Sequence, residues 1–109
     1  MADEREDSRP GAAAEGMART RWTFLSNHAH VMISIARDNS VRVRDLAGRV
    51  GITERAVQRI ITELESDGYL SHVRVGRRNL YTIHRDRPLR HAVESGTTVG
   101  DLLRLLTGS

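Results

Sequence analysis

The chain of 109 residues contains no cysteine, which removes disulfide frameworks and every thiolate metal site. Lysine is missing too, so all seventeen basic residues are arginine. Aromatic residues make up 4%, too few for a protein that grips single strands or RNA by stacking their bases. The longest apolar runs, such as Val31-Met32-Ile33, are far too short to span a bilayer. The amino terminus is charged and alanine-rich where a secretory signal would be apolar. A soluble, cytoplasmic protein is expected. No glycine-rich phosphate loop, nucleophile elbow or His-x-x-x-His pair occurs, so no enzymatic function and no cofactor is expected.

What is present is enough for one domain. Residues 1–19 alternate charges (Asp3, Glu4, Arg5, Glu6, Asp7), then run through Pro10-Gly11 and three alanines. Such a stretch buries too little to offset its ordering entropy, and it reads as a disordered tail. Residues 20–87 read as the folded domain and 88–109 as a C-terminal extension. The formal net charge is only +3, but it is unevenly placed. The tail carries five acids and three arginines, a net −2, whereas residues 71–91 carry six arginines against Asp86, a net +5. A basic segment on a near-neutral body points to a polyanionic partner. Arginine also suits bidentate contacts with phosphate and guanine.

At 100° per residue, Thr20 to Arg37 reads as a helix with an apolar arc covering more than half its circumference. Trp22, Leu25, Ala29, Met32, Ile33 and Ala36 adjoin Phe24, His28, Val31 and Ile35. An ordinary surface helix shows a narrower stripe, so a second partner for this one is expected. Val41-Arg42-Val43 alternates like a short strand. Arg44 to Val50 then reads as a brief helix stopped by Gly51. Thr53 caps a longer helix running to about Asp67, with Val57, Ile60, Ile61 and Leu64 inward. Gly68 ends it. Leu70–Val75 and Leu80–His84 read as strands of a hairpin around Gly76-Arg77-Arg78-Asn79. Thr98 is placed to cap a leucine-dense helix from Val99 to Leu106, too short to stand alone in water.

The most informative spacing is Leu46-Ala47-x3-Gly51-Ile52-Thr53-x3-Val57-x2-Ile60. A small residue where two helices cross, a glycine at the turn and apolar anchors on the second helix resemble the helix-turn-helix motif. The basic hairpin behind it is similar to the wing of the winged form, as in the MarR and ArsR families of regulators. The resemblance implies an α+β fold: a winged helix-turn-helix with a helical core, a two- or three-stranded β wing and flanking dimerisation helices. It implies a sequence-specific regulator of transcription that binds double-stranded DNA as a homodimer on an inverted repeat. Two other readings remain open, a winged helix used for protein–protein contact and a non-specific architectural DNA binder. MarR-like proteins build their dimer from long terminal helices and ArsR-like sensors often use cysteines; neither is present, so effector sensing does not carry over.

On the wheel of the second helix, Arg55, Arg59 and Thr62 lie opposite the buried side, with Gln58 flanking them. Arginine pairs with guanine and glutamine with adenine. Thr53 and its amide fit a phosphate at the helix start. Arg77 and Arg78, with Asn79, are placed for the minor groove or its flanking phosphates, Arg74 for a phosphate, and Arg44 (with Arg42) for the backbone. The dimer interface is expected from Trp22, Phe24, His28, Val31 and Ile35 with Leu102, Leu103 and Leu106. His28 and His30 point apart on a helix, and His72 and His84 lack further ligands, so no metal site is expected.

Overall fold

The computed structural model describes residues 22–109. Helix α1 spans Asn27–Arg37, α2 Val43–Val50 and α3 Glu54–Ser66. An antiparallel hairpin follows, β1 Leu70–Val75 and β2 Arg78–Ile83, then a single 3₁₀ turn at Ala92–Glu94 and helix α4, Val99–Thr107. The expected tail and the first two residues of the expected first helix lie outside the described residues.

Helix α1 is shorter than the apolar arc suggests, and that expectation is corrected. Ser26 sits in extended backbone and its hydroxyl accepts from the amide of Ala29, a serine N-cap that starts the helix at Asn27, seven residues later than periodicity alone implies. Trp22 and Phe24 lie ahead of the cap, edge to face with ring centroids 4.8 Å apart. A second correction concerns Val41-Arg42-Val43, which forms no strand. Val43 opens α2, and Val41 is buried instead in the core. One backbone bond, from the Tyr81 amide to the Asn39 carbonyl (2.8 Å), joins the stretch preceding it to the hairpin. The wing is therefore two-stranded.

The helix-turn-helix follows the expected plan. Gly51 ends α2 in the left-handed region (φ 86°, ψ 34°), and its amide bonds back to the Ala47 carbonyl at 2.8 Å. The Thr53 hydroxyl accepts from the Ala56 amide at 3.0 Å and opens α3. Val57, Ile60, Ile61 and Leu64 are buried against α1 and α2. The hairpin turn is tighter than expected. Val75 pairs with Arg78 and Arg74 with Asn79, so only Gly76-Arg77 forms the loop. Gly76 has φ 64° while Arg77 has a negative φ, the pattern of a type II′ turn.

Residues 88–98, weakly patterned as sequence, are closed by backbone bonds. Pro88 bridges Thr98, Leu89 donates to Thr97, and Val99 and Gly100 donate to Arg87 and Arg85. Thr98 and Asp101 then form a reciprocal cap on α4. The Thr98 amide bonded to the Asp101 carboxylate holds that group below the usual carboxylate range, aided by the rest of the cap and Arg104. Val99 and Leu103 enter the same core as α1 and α3, so the C-terminal segment completes the domain. Gly100 has no room for a side chain: a Cβ there would lie 2.9 Å from both Cβ and the carbonyl oxygen of Arg85. Gly100→Ala should thus destabilise the fold by about 1–3 kcal/mol through overpacking, outweighing the better helix propensity of alanine. Urea unfolding checks this; an unchanged or higher midpoint would contradict it.

Candidate nucleic-acid interface

The packing of α3 decides which of its side chains face solvent. With Val57, Ile60, Ile61 and Leu64 buried, Arg55, Gln58, Arg59 and Thr62 are all exposed on the other side, along with Thr53 at the start. The Thr53 hydroxyl accepts the capping bond, leaving its own proton free to donate. Arg44 is exposed on the first turn of α2, adjoining the N-cap residue Arg42. Arg55 has no side-chain partner among the described residues. Arg59 has one, an ion pair with Glu63 a helical turn later (3.5 Å).

The wing presents a different set from the one expected at its tip. Arg77 alone occupies the exposed apex with Gly76, and it makes no side-chain hydrogen bond among the described residues. Arg78 lies in β2, and its guanidinium donates to the carbonyl (3.0 Å) and hydroxyl (3.4 Å) of Ser40 in the α1–α2 loop. It braces the wing against the helices, a role the sequence reading missed. Arg74 and half-buried Asn79 face each other across the ladder, Arg74 donating to the Asn79 amide oxygen at 3.3 Å. The same hairpin face runs down to buried Leu70 and Tyr81, which root the wing in the core.

The end of α3 carries Glu63 and Glu65, with Asp67 as its C-cap, where the helix dipole disfavours negative charge. Each meets a group from a different element. His28 Nε2 of α1 donates to Glu63 at 2.7 Å, His72 Nδ1 of β1 to Glu65 at 2.5 Å, and Arg90 Nη1 to Asp67 at 2.8 Å. The hydrogen bond from His28, opposed by slight desolvation and assisted by the charge of Arg59, keeps the Glu63 carboxyl below the usual range. The pairs are partly exposed, so each is worth little to stability by itself. His30 bonds Asn27 (3.1 Å), and burial pushes its imidazole below the usual histidine range. His84 bonds the Ser71 hydroxyl at 3.1 Å. Among the described residues no group of three or more histidines and carboxylates could hold a metal ion. None of the helices among the described residues is long and apolar enough to cross a membrane.

The expected self-association surface needs correction. Val31, Ile35 and Leu103 have no accessible surface in the chain, because they form the centre of its own core. They leave nothing for a partner. Phe24, Trp22 and Leu106 do remain exposed, Phe24 at 90%, and His28 and Leu102 are half-buried. Leu105, exposed at 81%, belongs with them, and the wheel of α4 places it opposite Leu103. Arg37 ties α1 to α4 by donating to the Leu106 carbonyl (3.3 Å). Between these elements lies a cavity of about 730 Å³ lined by Phe24, His28, Met32, Tyr69, Leu89 and Leu102 among others.

Three short helices with a glycine-turned pair, an exposed arginine face on the second of that pair and a two-stranded hairpin behind it form one arrangement. The fold is a winged helix-turn-helix. Residues 30–71 match the family model described as winged helix-turn-helix DNA-binding, from within α1 to the start of β1. No curated protein matches the chain. Among solved structures, the chain is similar to the PcaV transcriptional regulator from Streptomyces coelicolor, solved in complex with its natural ligand. The identity is 18% and the TM-score 0.49, covering 77% of this chain. The chain spans 61% of the length of that protein. The matched residues take in the helix-turn-helix and the first residues of the wing.

Proposed function

We propose that this protein is a cytoplasmic, sequence-specific regulator of transcription that binds double-stranded DNA as a homodimer. The observation that carries this reading is the face of α3: Arg55, Gln58, Arg59 and Thr62 stand clear of a core formed by the residues opposite them. A helix so presented fits the major groove, where arginine reads guanine and glutamine reads adenine. Arg77 at the wing apex and Arg74 below it reach the flanking backbone, and Arg44 and Thr53 contact phosphates beside the helix. Phe24, Leu105 and Leu106 supply apolar surface for a second copy. Two-fold pairing sets the recognition helices about one DNA turn, roughly 34 Å, apart and calls for an inverted repeat.

Selection from a random duplex pool with purified protein at fixed salt tests the reading. Enrichment of an inverted repeat with half-sites about one turn apart supports it, and a pool left unenriched would overturn sequence-specific binding. The wing makes a separate prediction. Arg77→Ala should weaken selected and scrambled duplexes by the same factor and reduce the slope of log affinity against log salt by about one. Fluorescence anisotropy across a salt series measures both; an unchanged slope would remove Arg77 from the phosphate contacts.

A further inference from the structure

The carboxylate of Glu63 is divided between two elements. Its Oε2 lies 3.5 Å from Arg59 Nη1 on the exposed face of α3, while its Oε1 accepts the 2.7 Å hydrogen bond from His28 Nε2 on α1. Arg55, one turn earlier on the same face, has no such restraint among the described residues. Of two arginines presented alike, one is held and one is free.

We infer that Glu63 is a positioning residue that orients Arg59 for base reading, and that the protonation state of His28 sets how firmly it does so. The role rests on α3 being the base-reading helix. A free arginine loses side-chain entropy when it docks on a base edge, and a guanidinium already held by a carboxylate one turn away loses less. The same carboxylate repels phosphate, so it opposes binding that does not use Arg59 well. Glu63 therefore trades indiscriminate affinity for discrimination at one base pair.

His28 enters through the shared carboxylate. As a neutral imidazole it contributes one hydrogen bond, and Glu63 presents its full charge to Arg59. As an imidazolium it forms an ion pair that draws the carboxylate toward α1, and the hold on Arg59 slackens. Glu63 stays ionised throughout, since its partners keep its carboxyl below the usual range. Other charged groups near His28 are already engaged. Asp67, the C-cap of α3, is paired with Arg90 at 2.8 Å, and Glu94 accepts from the His91 amide at 3.2 Å. His91 itself accepts from the Val93 amide, and α4 offers the shared cavity only Val99, Leu102 and Leu103. Glu63 is thus the carboxylate left for His28.

The test uses the full chain and two duplexes: the selected site, and the same site altered at the base pair whose discrimination Arg59→Ala abolishes. Affinities are measured at about pH 5.5 and about pH 8, between which histidine side chains change charge. Wild type should discriminate better at the higher pH. Glu63→Gln should bind the altered duplex about twofold more tightly and lose about twofold or more of its discrimination, opposite changes that a merely structural residue would not produce. His28→Gln, which can donate a hydrogen bond but cannot titrate, should discriminate equally at both pH values. Discrimination unchanged in Glu63→Gln, or a wild-type pH response retained in His28→Gln, would overturn the inference while leaving DNA binding intact. A wild type that binds neither duplex would overturn the DNA-binding reading itself, and this role with it.

Discussion

Replacing Leu103 by alanine is expected to lower the unfolding free energy by about 2–5 kcal/mol, a large share of what a domain of this size possesses. Leu103 has no accessible surface, and with Val99 it is the contact through which α4 joins the core beside α1. A nine-residue helix has little stability of its own, so loss of that side chain removes the main reason for α4 to dock. Leu105, two residues on, provides the internal control. It is 81% exposed, and Leu105→Ala should change monomer stability by no more than about 0.5 kcal/mol. Its effect should appear instead as weaker self-association in sedimentation experiments. Equal stability losses for the two variants in urea unfolding would mean that the α4 packing described here is wrong.

The largest expected effect on binding comes from Arg55→Ala combined with Arg59→Ala. Each bidentate contact between arginine and guanine contributes about 1–3 kcal/mol of discrimination. Removing both should cost about thirtyfold in preference for the selected site at the lower value of each contact, and about ten-thousandfold if both are near the upper value. Because the two residues are exposed and outside the core, the double variant should keep the wild-type unfolding midpoint. Its residual binding should be of the non-specific, strongly salt-dependent kind, carried by Arg74, Arg77, Arg44 and the helix start. Quantitative binding to selected and scrambled duplexes separates these outcomes. If both affinities fell by one common factor, these arginines would be phosphate contacts rather than base readers.

The central helix pair was legible because short-range rules govern it. Gly51 supplies a left-handed turn, Thr53 a cap, and the spacing from Val57 to Leu64 a buried stripe. Each of these depends on residues within one or two turns. The start of α1 was misread because Trp22, Phe24 and Leu25 continue the apolar pattern into a segment that is not helical, and the cap at Ser26 was the better signal. The expected strand at Val41–Val43 failed for a related reason: local β propensity yielded to a helix that begins at Val43 and buries Leu46 and Ala47.

What sequence reading missed in the site is mostly long-range. Arg78 looks like a tip residue until its bond to Ser40, 38 positions earlier, shows it bracing the wing. The tie between His28 and Glu63 spans 35 positions and is equally invisible to periodicity. Val31 and Ile35 read as partner surface because the apolar arc of α1 covers more than half its circumference, and Leu103 because α4 is too short to stand alone. The C-terminal helix in fact covers part of that arc within the same chain. The face of α3 needed no such information, since burying one side of a helix determines what the other side shows.

The most direct measurement is an amide-shift map of the isotope-labelled full chain during titration with its selected duplex. The account predicts that the perturbed amides cluster at residues 53–62 of α3 and at 74–79 of the wing, with residue 44 at the start of α2. Perturbation confined to the surface around Phe24, Leu105 and Leu106, with α3 and the wing unmoved, would contradict it.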